Sequence, residues 1–264
     1  MTTLQTVFAK AKADDRAALI GYLPAGFPTK DGAIAAATAM VESGCDVIEI
    51  GLPYSDPLMD GPTIQDAVHR SLVNGTRIAD VLRTVEGVAK TGAATLVMTY
   101  WNPIDRYGAD RFARDLANAG GTGTITPDLT PEESGPWREA SAQAGIDTVF
   151  LVAPSSPETR IKAVAECCTG FVYAASLMGV TGARETVSEA AEGLVERTRK
   201  QTSLPVCVGL GVGTGAQAAQ VARYADGVIV GSAFIRRLLD AQDEASGLAA
   251  VRKLGAEMAA GVRA

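Results

Sequence analysis

Short apolar runs recur along the chain, and between them apolar residues fall at helical spacing. The runs at 18–23, 47–50, 94–99, 123–126, 148–152, 171–174, 206–210 and 227–230 have the length and density of strands buried on both faces. Between and after them the pattern predicts helices over 30–42, 63–75, 79–90, 110–119, 132–144, 158–167, 188–199 and 216–224, and a mainly helical tail over 234–262. Thr63 with Asp66 resembles a capping box for the second of these. Tyr100, Trp101, Asn102 and Pro103 read as a loop, and 176–186, with Gly179, Gly182 and no periodicity, reads as a mobile loop. The run at 123–126 is the poorest in large apolar residues. Ahead of the first strand, Leu4, Val7, Phe8 and Ala11 mark a helix placed to plug the bottom of a barrel.

Eight strands alternating with helices, all parallel where each crossover is helical, imply a single (β/α)8 TIM barrel over 1–264 with an extra N-terminal helix. An open doubly wound sheet competes, but it does not need eight such units. Composition agrees with one large domain: 47% of the 264 residues are hydrophobic and 20% charged. A net charge of −6 with no Lys/Arg cluster argues against nucleic acid or an anionic membrane as the main partner. The N-terminal stretch lacks the apolar core of a signal peptide, and no apolar run is long enough to span a bilayer, so a cytoplasmic location is expected. Cys45, Cys167, Cys168 and Cys207 form no C-x-x-C pair and read as buried free thiols. With His69 the only histidine, zinc sites and histidine-based triads are disfavoured, and no metal is expected.

The sites of such barrels lie at the C-terminal ends of the strands, where this chain places Tyr22, Glu49, Tyr100, Asp128, Leu151, Tyr173, Leu210 and Gly231. Glu49 stands out because it lies inside an apolar run. Neither face of a barrel strand offers bulk water, so burial raises its pKa and equips it as a general acid/base, unless it only caps a loop at the strand mouth. Asp60 follows after a loop punctuated by Gly51, Pro53, Pro57 and Gly61, where its context alone favours a turn residue. Gly209, Gly211, Gly213 and Gly215 follow the seventh strand and Gly231-Ser232 the eighth, a pattern suited to a phosphate held by backbone N–H groups or, alternatively, to tight turns. Gly211, Gly213 and Ala216 also satisfy G-x-G-x-x-A, but no acidic residue stands about 20 positions on, so a dinucleotide site is not inferred.

The segments IEIGLPYSDPLMDGPTIQ (48–65), MTYWNPIDRYG (98–108), PDLTPEES (127–134), GVTGAR (179–184) and GVIVGSAFI (227–235) resemble the tryptophan synthase alpha subunit family, over nearly the whole chain. The resemblance implies a barrel lyase that cleaves indole-3-glycerol phosphate to indole and glyceraldehyde 3-phosphate. It implies a beta-subunit partner in an alpha2-beta2 heterotetramer, with pyridoxal phosphate confined to that partner and no cofactor here. By the same resemblance Glu49 is the acid/base, Asp60 the carboxylate beside the indole nitrogen, and Tyr22, Tyr100, Leu151, Tyr173 and Leu210 the substrate pocket. Gly182, Gly211, Gly231 and Ser232 would hold the phosphate. Thr181 would close over the site, and Pro53, Asp56 and Pro57 would face the partner. Phe27, Leu210 and Leu177-Met178 depart from residues found in some family members, at loop and pocket positions rather than catalytic ones. Competing expectations are another phosphate-binding barrel enzyme, such as a sugar-phosphate isomerase or epimerase, and a binding module that chiefly activates the beta subunit.

Overall fold

In the computed structural model, which describes residues 3–175, 184–209 and 211–264 (backbone only over 184–189), the apolar runs become parallel strands around a barrel. In chain order the elements are α1 (Thr3–Ala13), β1 (Ala18–Pro24), α2 (Lys30–Glu42), β2 (Val47–Gly51), α3 (Pro62–Val73), α4 (Ile78–Ala89), β3 (Ala94–Met98), α5 (Trp101–Tyr107), α6 (Ala109–Asn118), β4 (Gly123–Ile125) and α7 (Gly135–Ala144). They continue with β5 (Asp147–Val149), β6 (Leu151–Val152), α8 (Glu158–Cys167), β7 (Val172–Ala175), α9 (Arg184–Arg199), β8 (Val206–Gly209), α10 (Gly215–Ala222), β9 (Gly227–Val230), α11 (Ser232–Leu239) and α12 (Glu244–Gly261). The expected fifth strand is split at Phe150: β5 pairs with β4 and β6 with β7, so its two halves complete the round from opposite sides. The architecture is the expected (β/α)8 barrel.

Inside the barrel, alternation sends Ile20, Val47, Leu96, Ile125, Val149, Phe171, Cys207 and Ile229 into one apolar cluster. Leu4, Phe8 and Ala11 of α1 join it, with the Phe8 ring 5.7 Å from that of Phe171, so the N-terminal helix seals the bottom as expected. The opposite strand faces pack against the helices in a second, larger cluster. All four cysteines are free and buried.

The starts of the strands are held by acids. Asp46, just before β2, accepts the Leu19 N–H at 2.9 Å and a bidentate fork from Arg16 at 2.7 and 2.8 Å. Asp226, just before β9, accepts the Val206 N–H at 2.8 Å and pairs with Arg199 at 3.0 Å.

Several local expectations are corrected. Residues 101–107 are helical rather than loop, because the Asp128 carboxylate reaches back to accept the Trp101 N–H at 2.9 and 3.1 Å and caps α5. The seventh helix starts at Gly135 instead of 132, which leaves Pro136 in the first turn where its missing N–H costs nothing. The capping box at Thr63 does not form: Gly61 is the N-cap, Pro62 opens α3, Thr63 Oγ1 accepts from Arg236 at 2.9 Å, and Asp66 pairs with Arg70. Helix α9 begins at Arg184, so the last residues of the expected 176–186 loop are helical; the rest of that segment lies outside the described residues.

Candidate active site

Beyond the C-terminal ends of the strands lies a cavity of about 620 Å³, within the usual range for small-molecule sites. Its wall includes Glu49, Asp60, Tyr22, Tyr173, Gly209, Gly211, Gly231 and Ser232, so eight of the residues singled out from the sequence converge on one space. Met59, Ile64, Met98, Ala175, Ala190, Ile229 and the turn Ala153–Pro154–Ser155 complete most of the remainder. Met98, Ala175 and Ile229 were not anticipated, although each follows by two-residue alternation from an inward position on its own strand.

Glu49 sits in the middle of β2, in register with Tyr22 of β1 and Leu96 of β3. It is fully buried, neither carboxylate oxygen has a hydrogen-bond partner among the described residues, and burial pushes its pKa up to about 8. A protonated carboxyl at neutral pH, facing a cavity, is an acid ready to give up its proton.

Asp60 lies on the loop between β2 and α3, half-buried. Burial raises its pKa, and a hydrogen bond from the Tyr100 hydroxyl, 3.2 Å away, acts in the opposite direction. The same hydroxyl accepts the N–H groups of Leu58 at 3.0 Å and Met59 at 3.2 Å, so Tyr100 fastens the loop and aims its carboxylate. Tyr100 is therefore not among the cavity-lining residues, contrary to expectation. Its ring lies 5.4 Å from that of Tyr54, whose hydroxyl accepts from Asn102 Nδ2 at 3.1 Å. Leu151 likewise packs against the barrel's interior cluster rather than lining the cavity.

Two glycines make room for the two phenols. A β-carbon on Gly51 would lie 2.8 Å from Tyr22 Cζ and closer still to its hydroxyl, and one on Gly209 would meet Tyr173 in the same way. Both tyrosines are buried at the strand ends, and burial raises their pKa well above the usual value, so both stay neutral hydrogen-bonding groups.

Toward β8 and β9 the wall is backbone. Gly211 follows β8 with φ +68°, and Gly231 caps α11, whose first residue is Ser232. A helix N-terminus with a hydroxyl and glycine N–H groups suits a phosphate. Pro53 is buried, Pro57 half-buried and Asp56 exposed on the β2–α3 loop, where Ser55 donates to Asp56 at 2.5 Å. Leu58 and Met59 on that loop are 77% and 40% exposed. Thr181, Gly182 and Leu210 lie outside the described residues. Among the described residues no group of three or more His, Cys, Asp or Glu could hold a metal, and no helix is long and apolar enough to cross a membrane.

Residues 8–263 match the family model described as tryptophan synthase alpha chain. Among curated proteins the chain is 59% identical to the tryptophan synthase alpha chain of Thermobifida fusca, covering 100% of this chain and 99% of that one. It is 60% identical to that of Streptomyces avermitilis, covering 98% and 94%. Among solved structures it superposes on M. tuberculosis tryptophan synthase in an aminoacrylate-bound form with TM-score 0.91 at 52% identity, over 99% of this chain and 100% of that one. It also superposes on tryptophan synthase subunit alpha of Legionella pneumophila with TM-score 0.90 at 33% identity, over 99% and 98%.

Proposed function

This chain belongs to the tryptophan synthase alpha chain family and is a lyase of tryptophan biosynthesis that carries out the alpha reaction; we propose that Glu49 and Asp60 perform it on the indole of indole-3-glycerol phosphate. The observation that carries this reading is a fully buried, unpartnered Glu49 sharing one cavity with Asp60 and with the backbone cradle of Gly211, Gly231 and Ser232.

Cleavage is a retro-aldol step. The bond between indole C3 and the glycerol chain breaks only if C3 gains a proton, so that the ring carries positive charge, and if the adjacent hydroxyl loses one, so that it becomes the aldehyde carbonyl. Glu49, held protonated by burial, delivers its proton to C3. Asp60, aimed by Tyr100, stabilises the charge that develops on the ring nitrogen. The Glu49 carboxylate then takes the hydroxyl proton, which restores the acid as indole and glyceraldehyde 3-phosphate separate. The phosphate sits on the N–H groups at the start of α11, and Tyr173 orients Glu49 or the glycerol hydroxyls. Thr181 and Gly182, which lie outside the described residues, are assigned to phosphate binding and closure by the family resemblance alone.

Only proton transfers and charge stabilisation are called for, so the chain needs no cofactor of its own; pyridoxal phosphate belongs to the beta subunit. An alpha chain implies a beta-subunit partner. We place that partner on the β2–α3 loop, where Pro53, Asp56 and Pro57 flank the exposed Leu58 and Met59, in a cytoplasmic alpha2-beta2 assembly. The test is indole release from indole-3-glycerol phosphate by the full chain, with and without beta subunit. Release is expected in both and faster in the complex, whereas none in either would overturn the assignment.

A further inference from the structure

Tyr22 occupies a singular place in the cavity. Strand β1 lies between β9 and β2, and Tyr22, inward-facing at its end, spans the gap between what those two neighbours carry. At one edge of its ring, Cδ1 lies 3.1 Å from where a β-carbon on Gly231 would sit, beside the phosphate cradle. At the other end its hydroxyl lies over Gly51, the inward position immediately above Glu49 on β2. Tyr22 lines the same cavity as both acids, and its hydroxyl stands at Gly51, where the chain passes from Glu49 on β2 toward the loop that carries Asp60.

Indole fixes what must meet it. Ring atoms N1 and C3 are both bonded to C2, so a ring held with N1 at Asp60 and C3 at Glu49 turns its C2 edge toward whatever stands between those carboxylates. We propose that the Tyr22 hydroxyl is a specificity-determining group that abuts the C2 edge of the bound indole and excludes indoles substituted at C2. The inference rests on the assignment of Glu49 and Asp60 made above. The hydroxyl is backed by Gly51 and the ring by Gly231, so it has a fixed seat, and a methyl at C2 has to occupy the volume the oxygen already fills.

The test compares kcat/KM for indole-3-glycerol phosphate and its 2-methyl analogue, using the full chain with beta subunit. The parent chain is expected to prefer the unsubstituted substrate by about 100-fold, the scale on which a pocket rejects one extra carbon. Tyr22→Phe removes one oxygen and leaves the ring in place. It should narrow that preference by about tenfold, through a gain on the 2-methyl substrate. An unchanged ratio, even with slower turnover of both substrates, would make Tyr22 a packing residue and overturn the inference while leaving the lyase assignment standing. Failure of the parent chain to release indole at all would remove both.

Discussion

One carboxylate stands just before strand β2 and another in its middle, and the fold treats the two oppositely. Asp46 takes a backbone N–H and a bidentate arginine; Asp226, just before β9, takes a backbone N–H and a single, more exposed contact from Arg199. Glu49, three residues beyond Asp46, has no hydrogen-bond partner among the described residues and is driven toward its neutral form by burial alone. A buried acid that the fold needs for stability is given partners, because leaving it without them is costly. Glu49 is left without them on the wall of a cavity, so its cost is borne for chemistry rather than for folding.

The largest effect should come from Glu49→Gln, which keeps the shape and removes the proton. Turnover is expected to fall by roughly 10²–10⁴-fold while a substrate analogue still binds with unchanged Kd in calorimetry. The same variant tests the contrast through pH. The carboxyl's ordinary value is 4.5 and its folded value about 8, so across that window the folded chain keeps a proton that the unfolded chain has released. Stability from this group is fully present below pH 4.5 and is lost as pH rises toward 8, by about 1.4 kcal/mol per unit at most. Glutamine does not titrate. In urea titrations the variant should therefore gain on the parent from pH 5 to pH 8, and kcat/KM of the parent should decline above about pH 8. A constant stability difference would return Glu49 to the class of Asp46.

Asp60→Asn should cost less, about 10²–10³-fold in kcat, because asparagine keeps the hydrogen bond from Tyr100 and loses only the charge that faces the ring nitrogen. Affinity for glyceraldehyde 3-phosphate, measured by competition, should hold, since the phosphate cradle lies on other strands. If affinity collapses instead while kcat survives, Asp60 is a structural loop residue and belongs with the acids at the strand starts.

The barrel was legible because parallel strands buried on both faces read as unbroken apolar runs, and Glu49 was legible because it interrupts one. What stayed hidden depends on residues distant in sequence. Helix α5 is capped by Asp128 from the far side of β4, and the split at Phe150 reflects two strands pairing with different neighbours. The family resemblance implies a pocket role for Tyr100, and its position at a strand end does not give the direction of its side chain, which holds the β2–α3 loop instead. Gly51 reads as loop punctuation and Gly209 as part of a phosphate-binding or turn pattern; that each yields space to a phenol on the adjacent strand follows from the sheet order. The partners of Asp46 belong to the same class: nothing local announces Arg16, thirty residues earlier.

Arg16→Ala should have the smallest effect on catalysis and a large one on stability, which is the pattern the contrast requires. The Arg16 side chain is 5% exposed, and its guanidinium both grips Asp46 and reaches the Ala17 carbonyl at 3.2 Å. The bond to Asp46 is the main reason its pKa lies above the usual arginine value. Removing it leaves Asp46, whose side chain is 17% exposed, with a backbone N–H and no countercharge. Breaking a buried pair costs about 3–5 kcal/mol, and the partial exposure of Asp46 brings the expected loss to about 2–3 kcal/mol. For a chain of this length that lowers Tm by roughly 5–10 °C in a thermal melt. Turnover at 25 °C should not change, because Arg16 stands at the closed end of the barrel while the cavity opens at the other. A fall in kcat with Tm preserved would mean that the strand starts and strand ends act as one unit, and the division of labour between Asp46 and Glu49 would then fail.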